Sequence, residues 1–560
     1  MRKFTLLIAG CLLASTTFAG NPGYRQDTRF HKLTERRTLT HAEKPVNAIS
    51  ELTEHKAVVK KMAKVASTEA PTVITDAPEG VTKVYKKACA GYSPYYFWIM
   101  EYEEESLAAE IVFTSDNEVY FKDIISNAVA DTYVKGTLAE GTITVPMGQC
   151  IFFSEEQGYG YKLVAMTEDI ENSTFLTDDS KESVKFTIAE NGVISMEEGA
   201  LLGLAYTDDN SWGGYVDFYQ TYTEFNVSPV TKPESLATEK WALTTSEGDG
   251  HFLKVGIDGS DLYIGGLSES MPDAWVKGSI SGSEVTIDAK QYMGIYGGMF
   301  QYFMTCESFT DPENGTGYRL VNTPATFSYD AAAKTLTQTS NNILLVNAAE
   351  DRVYYLDMFK DVLIAYQDAY KPATPLNPHS LYTDGFNPGY GNGLFSFMLP
   401  KVGTDRSLLN TDAYYYNIYV DGWRFTFYPD EYEGLADMEI DELTNVPYNF
   451  TDYFDISVSG AEHQIYYYFE GFETLGVQGV YTIDGVTNRT DLVNYNVETG
   501  EETIINAASI DSVNAERKAV SVTYYDLTGR ELANPSSGLV IKRTVYSDGT
   551  VRSVKSMIKQ

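Results

Sequence analysis

Two stretches of the chain, Tyr215-Val216-Asp217-Phe218-Tyr219 and Tyr355-Leu356-Asp357-Met358-Phe359, hold a carboxylate between aromatic residues. Side chains alternate across a strand, so Tyr215, Asp217 and Tyr219 share one face, as do Tyr355, Asp357 and Phe359. An acid framed in this way either holds a polar ligand or forms a hydrogen-bonded polar spot inside the packing. Tyr215, Asp217, Tyr355 and Asp357 are the candidate ligand-binding residues on this ground. Acids are also plentiful, with 78 Asp and Glu in the chain. Glycoside hydrolysis needs two carboxyl groups about 5–9.5 Å apart across a cleft, and composition alone does not place them.

Other chemistries lack their residues. The histidines are His31, His41, His55, His251, His379 and His463, and none makes an HxH or HExxH spacing. A zinc enzyme or a histidine-based triad has no support. The chain has no GxSxG elbow and no Walker loop, and no GxGxxG follows a strand. Gly389-Tyr390-Gly391-Asn392-Gly393 lacks the lysine and helix start that a phosphate loop requires. Glu101, Glu103, Glu104 and Glu105 lack the Asp/Asn alternation and glycine of a calcium loop, and are expected in a solvated turn. Beyond Cys11, the cysteines are Cys89, Cys150 and Cys306, with no CxxC. Cys89 and Cys150 could pair within one module, which leaves Cys306 as a buried free thiol. No catalytic residue, metal ligand or cofactor is assigned, and the expectation is a protein that is not an enzyme.

The acids belong to a longer repeat. Asp131-Thr132-Tyr133-Val134-Lys135-Gly136-Thr137 returns 142 residues later as Asp273-Ala274-Trp275-Val276-Lys277-Gly278-Ser279, with Thr144 matching Thr286 and Gln149 matching Gln291. Upstream, Ser115-Asp116-Asn117-Glu118 matches Asp258-Gly259-Ser260-Asp261; downstream, the two acidic runs match with the offset drifting by two. Order and spacing agree over more than a hundred residues, so the chain holds two copies of one module, 84–226 and 237–368. Each copy is built of short strands between turns. Val184 to Ile188 alternates apolar and polar, and Asn191-Gly192 then provides a tight hairpin turn. Such strands must close into a sandwich or a barrel to protect their edges.

Pro372, Pro375 and Pro378 mark the exit from the second copy. Residues 376–498 are again β-rich and suit an immunoglobulin or fibronectin III-like sandwich. Tyr414-Tyr415-Tyr416 and Tyr466-Tyr467-Tyr468-Phe469 put rings on both faces of its strands. The fold class is therefore all-β: two tandem homologous antiparallel modules, a sandwich and a small C-terminal β-domain at 519–560. A stalk at 20–83 precedes them, carrying a short helix in which Ile49, Leu52, Val58, Val59, Met62 and Val65 fall at helical spacing. Between residues 21 and 90, thirteen Lys/Arg oppose eight Asp/Glu, whereas the whole chain of 560 residues carries a formal charge of -36. That charge excludes nucleic acid as a partner. Beyond the leader, no stretch approaches the ~20 apolar residues of a membrane span.

The two ends carry an address. Arg2 and Lys3, an apolar run and Thr17-Phe18-Ala19 make a secretory leader at 1–19, cleaved between Ala19 and Gly20. Ile8-Ala9-Gly10-Cys11 also fits a lipobox, but the apolar run continues past Cys11 to the better site. Tyr525-Asp526-Leu527-Thr528-Gly529-Arg530, then Gly538-Leu539-Val540-Ile541 and a lysine-rich strand, resemble the C-terminal sorting domain of proteins exported by the type IX secretion system of Bacteroidota. Tyr525, Asp526, Leu527, Gly529, Arg530 and Gly538 carry the resemblance; Val540 stands where tyrosine is common. Gly476-Val477-Gln478-Gly479-Val480-Tyr481 resembles the last strands of fibronectin III-like domains in surface proteins of the same phylum. The resemblance implies a secreted or surface-displayed protein with the type IX machinery as partner. Its expected activity is binding or adhesion, to a glycan or a host or extracellular protein. The alternatives are an exported glycan or peptide hydrolase using Asp/Glu pairs, and a barrel carrier of a small apolar ligand. Deleting residues 520–560 is expected to strand the protein in the periplasm, as followed by fractionation; unchanged surface display would refute the tail assignment.

Overall fold

The computed structural model describes residues 71–95, 98–128, 130–155, 158–172, 174–311, 315–429, 431–453, 455–507, 519–526, 530–533, 538–546 and 551–558. The leader, the expected helix at 49–65 and Leu527 and Gly529 of the tail motif lie outside these residues. The described chain is almost entirely β.

The first module solves its edge problem by closing a barrel. Val81–Tyr95 pairs with Trp98–Phe113 on one side and with the far strand Trp212–Glu224 on the other. Glu118–Lys122, Tyr133–Ala139, Thr142–Pro146, Ser183–Ile188 and Ile194–Met196 complete an eight-stranded ring, shut where Ile194 pairs with Tyr222. Alternate residues of these strands, among them Ile111, Phe121, Val134, Ile143, Val145 and Phe186, fill the interior. Trp212–Glu224 is long enough to serve two sheets. Its first half leaves the barrel to pair with Leu201–Tyr206, which joins Tyr159–Asp169 and Cys150–Ser154 in a side sheet.

The second module repeats this circuit. Glu239–Thr244, Gly250–Asp258, Asp261–Gly265, Trp275–Ser281, Glu284–Ile287, Ala325–Asp330, Thr335–Gln338 and Leu363–Tyr366 form its closed barrel. Leu262, Val285, Phe327 and Leu336 are among the side chains that fill it. Here the long last strand is broken: Tyr355–Phe359 stays in the side sheet and Leu363–Tyr366 in the barrel. Asp361, between them, has φ 50°.

The repeated residues hold the same places. In both modules a glutamine clamps the strand that opens the repeat. Gln149 accepts from Lys135 N at 2.8 Å and donates to Lys135 O at 2.9 Å; Gln291 makes the same two bonds to Lys277 at 2.7 Å. Each also donates at 2.8 Å to a carbonyl three residues upstream, Pro146 or Asp288. Lys135 pairs with Glu118 over the Tyr120 ring, and Lys277 with Asp261 over the Tyr263 ring. The repeated glycine has a steric cause. A Cβ on Gly136 would sit 2.8 Å from Ile143, and one on Gly278 would sit 3.0 Å from Ile287.

The acidic run after residues 95–98 is not a turn. Glu101 to Glu105 lie within Trp98–Phe113, where Glu101 pairs with Tyr92 and Glu104 with Cys89. The hairpin is extended well beyond its barrel, and cross-strand pairing overrides the local turn-like composition. Cys89, Cys150 and Cys306 are all buried free thiols.

The following domain is a sandwich of two sheets. Its first sheet has the order His379–Thr383, Gly393–Met398, Glu462–Tyr467, Ile456–Ser459. The second places Trp423–Arg424, Tyr414–Val420, Thr474–Ile483 and Leu492–Asn496 side by side. In chain order this is the A-B-E-D and C-F-G arrangement of immunoglobulin-like domains. Ala519–Tyr525, Glu531–Leu532, Gly538–Tyr546 and Val551–Ile558 form a separate small sheet at the C-terminus. Replacing Gln291 with alanine removes all three clamp bonds and is expected to destabilise the second module by about 1–2 kcal/mol. A denaturant midpoint unchanged from the parent, at equal slope, would show that the clamp contributes nothing.

Candidate functional site

Asp217 sits where its strand passes from barrel to side sheet, opposite Gly91 on one neighbour and Leu202 on the other. It has no exposed surface. Tyr102 donates to its Oδ1. At Oδ2, Ser126 donates from Oγ at 2.7 Å and from its backbone N at 3.2 Å, and Gln220 donates from Nε2 at 2.5 Å. Lys87 Nζ lies 3.4 Å from the same oxygen and donates to Ile124 O at 2.7 Å. Gln220 also donates to Ile124 O, and its Oε1 accepts from Tyr222. The carboxylate is thus paired with one cation and held by several donors, the condition under which a buried charge is tolerated. Cys89 Sγ lies 3.0 Å from Ser126 Oγ, and burial pushes its thiol up to about 12, so it is not a nucleophile. Burial, then Asp217, pushes the Tyr102 phenol well above its ordinary value and keeps it a donor.

Asp357 occupies the matching region of the second module with different partners. Leu202 faces Asp217, whereas Leu344, 142 residues after Leu202, faces Phe359, and Asp357 faces Val346. The acid has slipped two residues along its strand, which keeps it on the same face. Ser268, 142 residues after Ser126, is again fully buried and bonds the acid. The lysine is absent. Lys87 faces Tyr222 in the first barrel, and Leu243 faces Ile364 in the second. Asp357 Oδ2 is buried without a hydrogen-bond partner, and burial raises the carboxyl above its usual range. His251 lies nearby, but its Nε2 is 3.0 Å from the Gly266 carbonyl and must carry the proton there. Ser268, His251 and Asp357 are therefore not a catalytic triad: the serine is sealed from solvent and bonds the acid directly, with no imidazole between them.

The framing tyrosines are also internal. Tyr215 is buried in the first barrel's core cluster, with its ring 6.1 Å from Tyr161. Tyr355 is half-buried against the cluster that joins the two modules. Tyr215 and Asp217 are buried, and Tyr355 and Asp357 are half-buried. Ser126, Ser268, Lys87 and Tyr102 complete the two sites. Only the serines carried a sequence signal, since both obey the repeat offset.

Exposed aromatic rings lie on the sandwich, as well as at Phe309 and Tyr366 of the second module. Tyr414 and Tyr416 point between the sheets, packed with Tyr448, Phe397 and His463. On the other sheet Tyr467 points inward, which turns Tyr466 and Tyr468 outward. The outward face carries a row formed by Tyr382, Ser396, Gln464 and Ser457 across four strands. Leu394 and Tyr466 stand beside each other in the next row. Glu462 Oε1 accepts from Ser396 Oγ at 3.1 Å and from Gln464 Nε2 at 3.0 Å. Tyr382 is 39% exposed and Tyr468 is 36% exposed, and the Tyr468 hydroxyl donates to Asp455. Burial, then Glu462 and Asp384, raises the Tyr382 phenol.

Among the described residues, no group of three His, Cys, Asp or Glu is arranged to hold a metal ion, and no helix is long and apolar enough to cross a membrane. No family model matches the chain, and no curated protein matches it.

Removing a charge from each of the two sites should have opposite effects. Lys87→Met leaves Asp217 buried without its cation and is expected to cost about 3–5 kcal/mol. Asp357 binds its proton more tightly folded than unfolded, so its contribution is fully present below the unfolded pKa and is lost as pH rises through the folded one. Asp357→Asn should therefore leave the protein at least as stable at neutral pH and flatten that part of the profile. Urea denaturation across the acidic range measures both; equal losses in the two variants would contradict the assignment.

Proposed function

We propose that this is a secreted, surface-displayed protein that binds its target without transforming it, exported through a type IX-like pathway. The observation that carries the binding assignment is where the polar chemistry lies. Of the acids that recur in the repeat, the first is consumed inside its module, and the second, half-buried, lies beside a serine and a histidine that do not form a relay. Binding chemistry is left to exposed surfaces, and the sandwich offers tyrosines there. Carriage of a small apolar ligand is disfavoured because packed side chains occupy both barrels. Hydrolysis is disfavoured because Asp217 has no exposed surface and Asp357, itself half-buried, turns its Oδ2 into the packing. A glycan or an extracellular protein remains the proposed partner class.

The test is capture of the full secreted chain on immobilised polysaccharides and matrix proteins, with soluble products followed in parallel. Retention without product is the expected outcome. Product release that disappears in Asp217→Asn or Asp357→Asn would replace this function with hydrolysis.

A further inference from the structure

We infer that the outward face of the sandwich sheet built from His379–Thr383, Gly393–Met398, Glu462–Tyr467 and Ile456–Ser459 is a binding site for an uncharged glycan chain, with Tyr382 and Tyr466 as its stacking platforms. The inference rests on the binding function proposed above and names its site and ligand class.

Tyr382 and Tyr466 stand on strands separated by one neighbour. Two strand spacings across the sheet and two residues along it place their backbones about 12 Å apart. That span suits units separated by one residue, rather than neighbouring ones, in an extended sugar chain, whose C–H faces pack against aromatic rings. Beside the rings lie acceptors and donors for sugar hydroxyls. Gln464 and Glu462 are partly exposed, while Ser396, 2% exposed, holds Glu462 from beneath. Gln464 holds the same carboxylate oxygen, so both groups keep their positions before any ligand arrives. Preorganisation of this kind lowers the ordering cost of binding.

Charge selects among glycans. Glu462 and Asp384 both act on Tyr382, and Asp455 holds Tyr468 at the end of the strip. With a whole-chain charge of -36, a sulfated or uronic polymer is repelled. Neutral hydroxyls donate well to the same carboxylates. A protein partner fits less well, because a stable protein interface is most apolar at its centre. Here the centre is Ser396, Gln464 and Glu462.

The experiment is affinity electrophoresis of the full chain through gels containing mannan, a soluble neutral β-glucan or heparin, beside capture on matrix proteins. At least one neutral polysaccharide should retard the parent chain, and heparin should not. Tyr382→Ala and Tyr466→Ala should each weaken that retardation by about tenfold or more, the double variant should abolish it, and Tyr382→Phe should preserve it. An unchanged thermal transition shows that the alanine variants are folded, and Glu462→Gln tests the face without removing a ring. Retardation that survives the double variant overturns the site, and retardation by heparin alone overturns the ligand class. Capture by a matrix protein with no retardation by any neutral glycan sinks this inference and leaves the binding function standing. Failure in every arm sinks both.

Discussion

Every barrel strand in the two repeated modules must find a partner on both edges, and the first strand of each module meets that demand by pairing with the last. Val81–Tyr95 reaches Trp212–Glu224 across more than a hundred residues, and Glu239–Thr244 reaches Leu363–Tyr366 in the same way. An unpaired edge leaves backbone donors and acceptors open to other chains, so closure contributes both stability and protection from aggregation. It also determines what the interior holds. An eight-stranded ring is just wide enough for side chains to fill, and apolar residues fill it twice here.

The buried acids follow from the same closure. The last strand of the first module has to serve the barrel with one end and the side sheet with the other, and Asp217 stands at the crossing. Lys87, Tyr102, Ser126 and Gln220 satisfy the acid there. The second module breaks its strand at the same junction, slips the acid by two residues and puts Leu243 where Lys87 would stand. The two copies thus share geometry while differing in charge. A duplicated active site is expected to keep its partners, whereas Asp217 has a lysine and several donors and Asp357 has neither that lysine nor a partner for its Oδ2.

The modules are also tied to their neighbours by backbone-directed bonds. Arg406 Nη2 donates at 2.7 Å to both Thr244 O and Asp361 O of the second barrel. Gln367 exchanges two bonds with the backbone of Leu408, and His379 Nε2 lies 2.9 Å from Glu247 O. Between the modules, Glu350 accepts from Lys86, and Ala108 N donates to Gly298 O. The contacts of Arg406, Gln367 and His379 join the sandwich to the second barrel through groups with directional geometry.

Local signals in the sequence determined much of this. The repeat, the Asn191-Gly192 hairpin with Gly192 at φ 82°, the buried thiol of Cys306 and the all-β class depend on side-chain alternation and turn chemistry within a few residues. The equivalence of Gln149 with Gln291 was visible too, because one clamp demands one residue type at one offset. Tertiary structure alone decided the rest. Closure into barrels depends on strands more than a hundred residues apart finding each other, and no local pattern encodes that meeting. Glu101 to Glu105 resembled a turn and became strand because an extended neighbour paired with them. The tyrosine runs showed that rings must face both ways; only the pairing of Glu462–Tyr467 with Gly393–Met398 decided that Tyr467 enters the core and Tyr466 faces out. The acids were legible as a repeated pair, but whether they meet solvent or a buried lysine depends on which distant strand covers them.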